Sequence, residues 1–160
     1  MNEKLLLLKA SLENDENEIA HIFTALVQRE KTSLVDQDKA ILLGYYLHNL
    51  YTAFENAFKT IASTFENEVR DPSQWHAELL RRMTLDIPGL RPRIVSPEAY
   101  EPLDELRRFR HVFRSVYTMT LDLERLAVVL KKAHELERIY PQDFKHFRDY
   151  LTSAIQAYYQ

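Results

Sequence analysis

The sequence predicts an all-α protein, an up-and-down helical bundle of four core helices with short extra helices, and two observations favour this fold. The 160 residues include only two Gly, whereas average usage would give a chain of this length about eleven. Strand-rich folds use Gly at hairpins and bulges, so the composition disfavours sandwiches, barrels and doubly wound sheets. Apolar residues recur three or four positions apart along most of the chain, as in amphipathic helices. The length suits a single domain, which we expect to span residues 1–160.

The first half of the chain predicts two long helices. Apolar positions from Leu5 to Val27 define the first, which should run from Asn2 to about Lys31. Asp36 is a candidate N-cap for the second. The apolar stripe of the second helix steps by 4, 3, 4, 4, 3 and 4 positions through Leu43, Leu47, Leu50, Phe54, Phe58, Ile61 and Phe65. A stripe of this length predicts that the helix is the centre of the core.

Prolines divide the second half of the chain. Asp71-Pro72-Ser73 is a predicted helix start, because Pro is tolerated in the first turn, and the helix should continue to about Leu85. Pro88-Gly89 marks a turn within an irregular segment from Ile87 to Ser96. Five of the six prolines lie between Pro72 and Pro102, which favours this interpretation.

Three further helices are predicted after the irregular segment. The first begins at Pro97 or Pro102 and ends at Tyr117. The second is capped near Thr120 or Asp122, and Tyr140-Pro141 interrupts it, since Pro in a helix interior removes a hydrogen bond and clashes with the preceding turn. A short last helix carries the apolar positions Phe144, Phe147, Leu151, Ala154 and Tyr158. Short connections between long helices favour antiparallel neighbours.

The composition also excludes several kinds of chemistry. The absence of Cys removes disulfides, thiol nucleophiles and thiolate zinc sites, and it suits a reducing compartment. Gly44 and Gly89 are too far apart to form a phosphate-binding loop, and the six His lack metal-ligand spacing, so we expect neither a metal nor a cofactor. The longest uncharged run, Ala40 to Phe54, has 15 residues, and a membrane span needs about 20. We therefore expect a cytoplasmic protein.

The charge is distributed unevenly along the chain. The formal net charge is −3, which by itself favours no nucleic-acid partner. Between Arg81 and Arg114, however, eight Arg accompany five acidic residues, so this segment is +3 and the remainder is −6. A basic surface on an acidic protein is the first indication of function.

The densest polar run lies at the end of this basic segment. On a continuous helix the side chains of Arg110, Arg114 and Tyr117 fall within about 60° of one another. Guanidinium groups bind phosphate diesters through paired hydrogen bonds, and an imidazole such as that of His111 can carry a proton, so these residue types suit RNA cleavage without a metal. The other interpretation is that Arg and His here form the solvated face of an amphipathic helix.

This run resembles the HEPN superfamily, in particular the HepT-like ribonuclease toxins that are paired with a minimal nucleotidyltransferase antitoxin. The family motif begins with Arg followed by a polar residue. After three further positions comes a His, and after one more position a Tyr. Arg110, His111 and Tyr117 match it, and Ser115 occupies the position of the motif His. Residues 46–55 resemble the long second helix of the family, and residues 75–80 and 103–111 resemble the run that leads into the motif.

The resemblance implies a helical bundle that forms a dimer, in which the motifs of the two subunits face each other across a cleft. It also implies that the dimer cleaves RNA without a metal. Carried over to this chain, Arg110 contacts the scissile phosphate and His111 helps to position it. Arg107, Arg108 and Arg114 hold flanking phosphates. Tyr117 is the candidate site for modification with AMP by the nucleotidyltransferase partner.

The departure at Ser115 opens an alternative. A Ser hydroxyl does not replace imidazole as a proton shuttle, and loss of general acid–base catalysis typically costs about 10² to 10⁴ in rate. His111, four positions earlier, would lie on the same side of the helix and is a candidate to take over that role. The leading hypothesis is a HepT-like protein acting on RNA. The alternatives are a non-catalytic dimeric module that binds a nucleotidyltransferase or another partner, and a stand-alone nucleotide-binding bundle.

Overall fold

The computed structural model describes residues 2–31, 37–66, 75–115 and 120–159, which form a helical bundle. Its five helices are α1 (Asn2–Glu30), α2 (Gln37–Phe65), α3 (Trp75–Met83), α4 (Pro97–Phe113) and α5 (Leu123–Ala157). The all-α prediction is therefore confirmed. The predicted helix starts at Asp36 and at residues 71–73 lie outside the described residues.

Helix α2 is the centre of the bundle and contacts each of the other four helices. Every position of its predicted stripe from Leu43 to Ile61 is buried, and Phe65 is half-buried. Helix α1 packs along α2. Each of these helices has 29 residues and is about 43 Å long, whereas the connection of six residues between them spans at most about 25 Å. The two helices therefore run antiparallel.

The irregular segment after α3 is held by a buried arginine. The Arg91 side chain is fully buried, pairs with Glu66, and donates to the backbone carbonyls of Arg82, Leu85 and Pro92. Gly89 has φ +76°, a left-handed conformation that suits Gly, and an isolated bridge joins Ile87 to Arg91. This segment agrees with the prediction from Pro88-Gly89.

Ser96 caps α4 and attaches it to α5. Its hydroxyl oxygen accepts from the Ala99 backbone N–H at 3.3 Å and donates to Oδ2 of Asp143 at 2.8 Å. The helix ends at Phe113, before the predicted end at Tyr117. The reason is a tightened last turn, in which the Ser115 N–H donates to the Val112 carbonyl at 3.0 Å.

Helix α5 is continuous over 35 residues, so the predicted interruption at Tyr140-Pro141 is wrong. Asp122 caps its start, as one of the two predicted caps, by accepting from the N–H groups of Glu124 and Arg125. The ring of Tyr140 lies 5.5 Å from Phe23 and 5.4 Å from Phe54 between centroids, while the side chain of Pro141 is exposed. Packing of the flanking aromatic residues offsets the local cost of Pro.

Among the described residues, no helix is long and apolar enough to span a bilayer. Buried residues from all five helices meet in one hydrophobic core. The core places the end of α4 against the first half of α2, which is where the candidate site residues lie.

Candidate functional site

A glycine allows α2 and α4 to approach closely. A Cβ placed on Gly44 would lie 2.6 Å from Cε2 of Phe113 and 3.4 Å from Cδ1 of Leu121. The last turn of α4 and the segment that leads into α5 therefore both pack directly on α2. This contact brings Arg110 into hydrogen-bonding distance of α2.

Arg110 is half-buried between the two helices. Its Nε donates to Oγ1 of Thr52 at 3.0 Å, and the Thr52 hydroxyl donates to the backbone carbonyl of His48 at 3.0 Å. In the described part of the chain, no carboxylate forms an ion pair with Arg110. The guanidinium is thus positioned through one nitrogen, while its two terminal nitrogens retain donors that suit an anionic ligand.

His48 lies one turn before Thr52 and faces the end of α4. Its ring centroid is 5.9 Å from that of Phe113, and Nδ1 lies 3.4 Å from Oδ1 of Asn49. Burial lowers the pKa of His48 below the usual 6.5, and the charges of Arg110 and Arg114 lower it further, against the opposing effect of the Asn49 hydrogen bond. The imidazole is therefore neutral at neutral pH.

Tyr51 lies beneath this surface, fully buried in α2. Within the described ranges its hydroxyl has no hydrogen-bond partner. Burial raises the pKa of the phenol, and the Glu55 carboxylate raises it further, against the smaller opposing effects of Arg107 and Arg110. The phenol accordingly stays protonated at physiological pH.

Arg107 and Arg108 are engaged in ion pairs on their own helix. Nη2 of Arg107 lies 2.9 Å from Oδ1 of Asp104, and Nη2 of Arg108 lies 2.5 Å from Oδ2. Arg108 also lies 3.5 Å from Glu105, which in turn lies 3.1 Å from Arg125. The carboxylates reduce the positive potential that these two Arg present to solvent.

The basic surface is consequently narrower than the charge count predicts. Of the eight Arg from Arg81 to Arg114, five pair with carboxylates: Arg81, Arg82, Arg91, Arg107 and Arg108. In the part of the chain that the structure describes, Arg93, Arg110 and Arg114 form no such pair. Arg110 and Arg114 are one turn apart and both act on His48, so they define the centre of positive charge beside α2.

His111, Arg114 and Ser115 are exposed at the end of α4. Arg114 is the C-cap, and its N–H donates to the carbonyls of Arg110 and Val112. The side chain of His111 leaves the helix about 100° away from that of Arg110, so the two do not converge. Tyr117, the predicted modification site, lies outside the described residues.

A second polar cluster lies further along α2. The Glu55 carboxylate is almost fully buried, with Oε2 2.6 Å from Nδ1 of His76 and Oε1 3.4 Å from Nζ of Lys59. Lys59 also lies over the ring of Trp75, 4.4 Å from its centroid. Trp75 is partly buried and packs against the hydrophobic core, and the cluster attaches α3 to α2.

Sequence reasoning did not select His48 or Thr52. Both lie in the segment that resembles the second helix of the family, but their relevance depends on which part of α4 packs against them. The two residues are four positions apart, which places them on one face of α2. This spacing was the feature of the sequence that could have identified them as a pair. Over residues 2–31, 37–66, 75–115 and 120–159, no three His, Cys, Asp or Glu side chains converge as metal ligands would.

Comparison with protein-family models identifies a family. A family model described as HepT-like protein matches residues 42–151, which include most of α2, all of α3 and α4, and most of α5. Neither a curated protein nor a solved structure matches the chain.

Proposed function

The chain belongs to the HepT-like family, and from that premise we propose that it acts on RNA as a metal-independent endoribonuclease of the HEPN type, with residues 1–160 as one domain. The family match covers the helices that carry Arg110 and Thr52. No step of the proposed reaction needs a metal or an organic cofactor.

The observation that carries the proposal is the hydrogen bonding of the Arg110 guanidinium. It is oriented by the Thr52 hydroxyl at 3.0 Å rather than neutralised by a carboxylate. A guanidinium held in this way keeps its full charge and two terminal donors, which match the oxygens of a phosphate diester. In the proposed reaction Arg110 binds the scissile phosphate and stabilises the charge that develops on it in the transition state.

The remaining basic residues extend the proposed RNA-binding surface along the RNA strand. Arg114 holds an adjacent phosphate, since it lies one turn from Arg110 and has no carboxylate partner in the described ranges. Arg107 and Arg108 contribute less, because Asp104 and Glu105 share their donors. His111 contacts the RNA from the exposed side, beside Ser115. Tyr117 is the proposed site of modification with AMP by a nucleotidyltransferase partner.

Cleavage of bulk RNA by the purified protein tests the proposal. Arg110→Ala removes the oriented donors and should lower the rate by about 10² to 10³. Arg138→Ala is the matched control, because it removes one exposed Arg on α5 that takes part in none of the contacts above. Equal cleavage by wild type and Arg110→Ala, or loss of cleavage in Arg138→Ala as well, would contradict the assigned role of Arg110.

A second candidate function is a non-catalytic, homodimeric module that binds a nucleotidyltransferase. It is favoured by exposed apolar side chains beside the site: Ile41 is 48%, Tyr45 54% and Val112 58% exposed. Tyr45 is adjacent to Gly44, and Val112 to Phe113, so these side chains border the contact between α2 and α4. Surfaces of this kind commonly bind another protein.

Restoring the family residue separates the two functions. Cleavage that is absent in the natural protein and appears in Ser115→His would favour the binding module. Cleavage by the natural protein that disappears in Arg110→Ala would favour the ribonuclease. Co-purification with the product of a neighbouring nucleotidyltransferase reading frame, together with the mass of the complex in solution, would identify the partner and the dimer.

A further inference from the structure

The proposed ribonuclease lacks an imidazole at the motif position, where Ser115 stands. Two His are candidates to move the proton instead. His111 is exposed, and its side chain diverges by about 100° from that of Arg110. His48 comes from the facing helix, and its backbone carbonyl accepts from the Thr52 hydroxyl that orients Arg110.

The contacts of His48 hold its ring in one place. Phe113 lies against it, with ring centroids 5.9 Å apart, and Phe113 is itself held where Gly44 leaves room for its ring. His48 is half-buried, so part of its side chain remains accessible to solvent, and Arg110 and Arg114 act on it electrostatically from α4. A ring fixed at the border of a cationic surface is suited to act on a bound phosphate diester.

The contact with Asn49 bears on the tautomer of His48. Nδ1 lies 3.4 Å from Oδ1 of Asn49, and in the tautomer that makes this contact a hydrogen bond Nδ1 carries the proton and Nε2 the lone pair. Burial and the two neighbouring Arg lower the pKa of His48, so this lone pair is available at neutral pH. The charged groups that face the ring are Arg110 and Arg114 of α4, and both favour the neutral form.

We propose that His48 is the general base of this protein and takes the place of the missing motif His, an inference that rests on the ribonuclease function proposed above. Nε2 of His48 removes the proton from the ribose 2′-hydroxyl. The 2′-oxygen then forms a bond to the adjacent phosphorus, and the bond between phosphorus and the 5′-oxygen breaks. The leaving 5′-oxygen takes a proton from solvent, which yields a 2′,3′-cyclic phosphate and a 5′-hydroxyl end.

Chemical rescue tests this role directly. His48→Ala should lower cleavage of a single-stranded RNA oligonucleotide by about 10² to 10⁴. Added imidazole should restore part of the lost rate, because it enters the space that the ring has left. A merely structural role of His48 would not produce this rescue. His21→Ala, at an exposed position on α1, is the matched control and should cleave like wild type.

The pH profile gives a second readout. The wild-type rate, measured from about pH 5 to about pH 8, should fall on the acidic side only below the usual His value of 6.5, since protonation of Nε2 removes the base. Arg114→Gln should move this acidic limb to higher pH, because one of the positive charges that disfavour the protonated ring is lost. His48→Gln replaces the imidazole with a polar side chain of similar length that does not titrate. This variant should therefore lack the acidic limb of the pH profile.

The outcomes separate this inference from the proposed function. If Arg110→Ala is inactive while His48→Ala and His48→Gln cleave within about threefold of wild type, far from the loss expected of a base, His48 is not the base and the ribonuclease function stands. If His111→Ala is inactive while His48→Gln keeps both the wild-type rate and its acidic limb, His111 is the base and the inference is overturned. If the wild-type protein leaves RNA intact at every pH, both proposals fail.

Discussion

Gly44→Ala tests how closely α2 and α4 approach beside the candidate site. The new methyl group would lie 2.6 Å from Cε2 and 3.0 Å from Cδ2 of Phe113. Carbon atoms in contact prefer a separation of about 3.5 to 4.0 Å, so the ring must move by about 1 Å. Phe113 is the last residue of α4 and packs against His48, and its displacement therefore reaches the site.

Two effects of opposite sign decide the change in stability. Ala in place of Gly in a helix interior stabilises by about 1 kcal/mol. Over-packing of the kind expected at Phe113 destabilises by about 1 to 3 kcal/mol. We expect the free energy of unfolding of Gly44→Ala to fall by about 1 kcal/mol, which lowers the Tm of a chain of this size by about 2 to 4 °C. Because the ring against His48 moves, RNA cleavage should fall by about 10².

Urea unfolding in two backgrounds measures the steric effect. In Phe113→Ala the ring is absent, so Gly44→Ala should become stabilising by up to about 1 kcal/mol. Asn56→Ala, at an exposed position of α2, reports the helix-propensity effect without a close neighbour. Stabilisation by Gly44→Ala of the same size in the wild-type and Phe113→Ala backgrounds would refute the close contact between the two helices.

Two further predictions concern stability. Pro141→Ala should raise the free energy of unfolding by about 2 kcal/mol, because it restores a hydrogen bond inside α5. The control Pro97→Ala, in the first turn of α4, should change the free energy of unfolding by less than about 1 kcal/mol. Equal changes in the two variants on urea unfolding would contradict this account. Glu55→Ala should lower the free energy of unfolding by about 2 kcal/mol, since a buried carboxylate that binds His76 is lost. Glu78→Ala, which removes an exposed pair with Arg81, should lower it by about 0 to 1 kcal/mol, and an equal loss in both variants would argue against the buried cluster.

Most of the fold was predictable because it depends on local periodicity. The stripe from Leu43 to Phe65 predicted the central helix, and the Pro-Gly pair at 88 and 89 predicted the irregular segment. The interruption at Tyr140-Pro141 was not correct, since the local cost of Pro is offset by packing of Tyr140 on Phe23 and Phe54. Such long-range contacts are absent from the pattern that predicts a helix boundary.

The candidate site was predictable only in part. The motif selected α4 and assigned the scissile phosphate to Arg110, but it did not predict that Arg107 and Arg108 form ion pairs whereas Arg110 has no carboxylate partner among the described residues. That distinction comes from Asp104, which pairs with Arg107 and Arg108, while Arg110 donates to a hydroxyl 58 positions away in sequence. The part played by His48 depends on the same contact between helices.

The all-α class, the central helix and the basic segment that ends in the motif follow from composition and helical period, which are local properties of the chain. Which Arg side chains remain available to an anionic ligand depends on tertiary contacts. Ion pairing neutralises five of the eight Arg between Arg81 and Arg114, and the absence of a side chain at Gly44 lets the end of α4 reach α2. Charge neutralisation and close approach both depend on distances between residues that are far apart in the chain, and these distances exist only in the folded state.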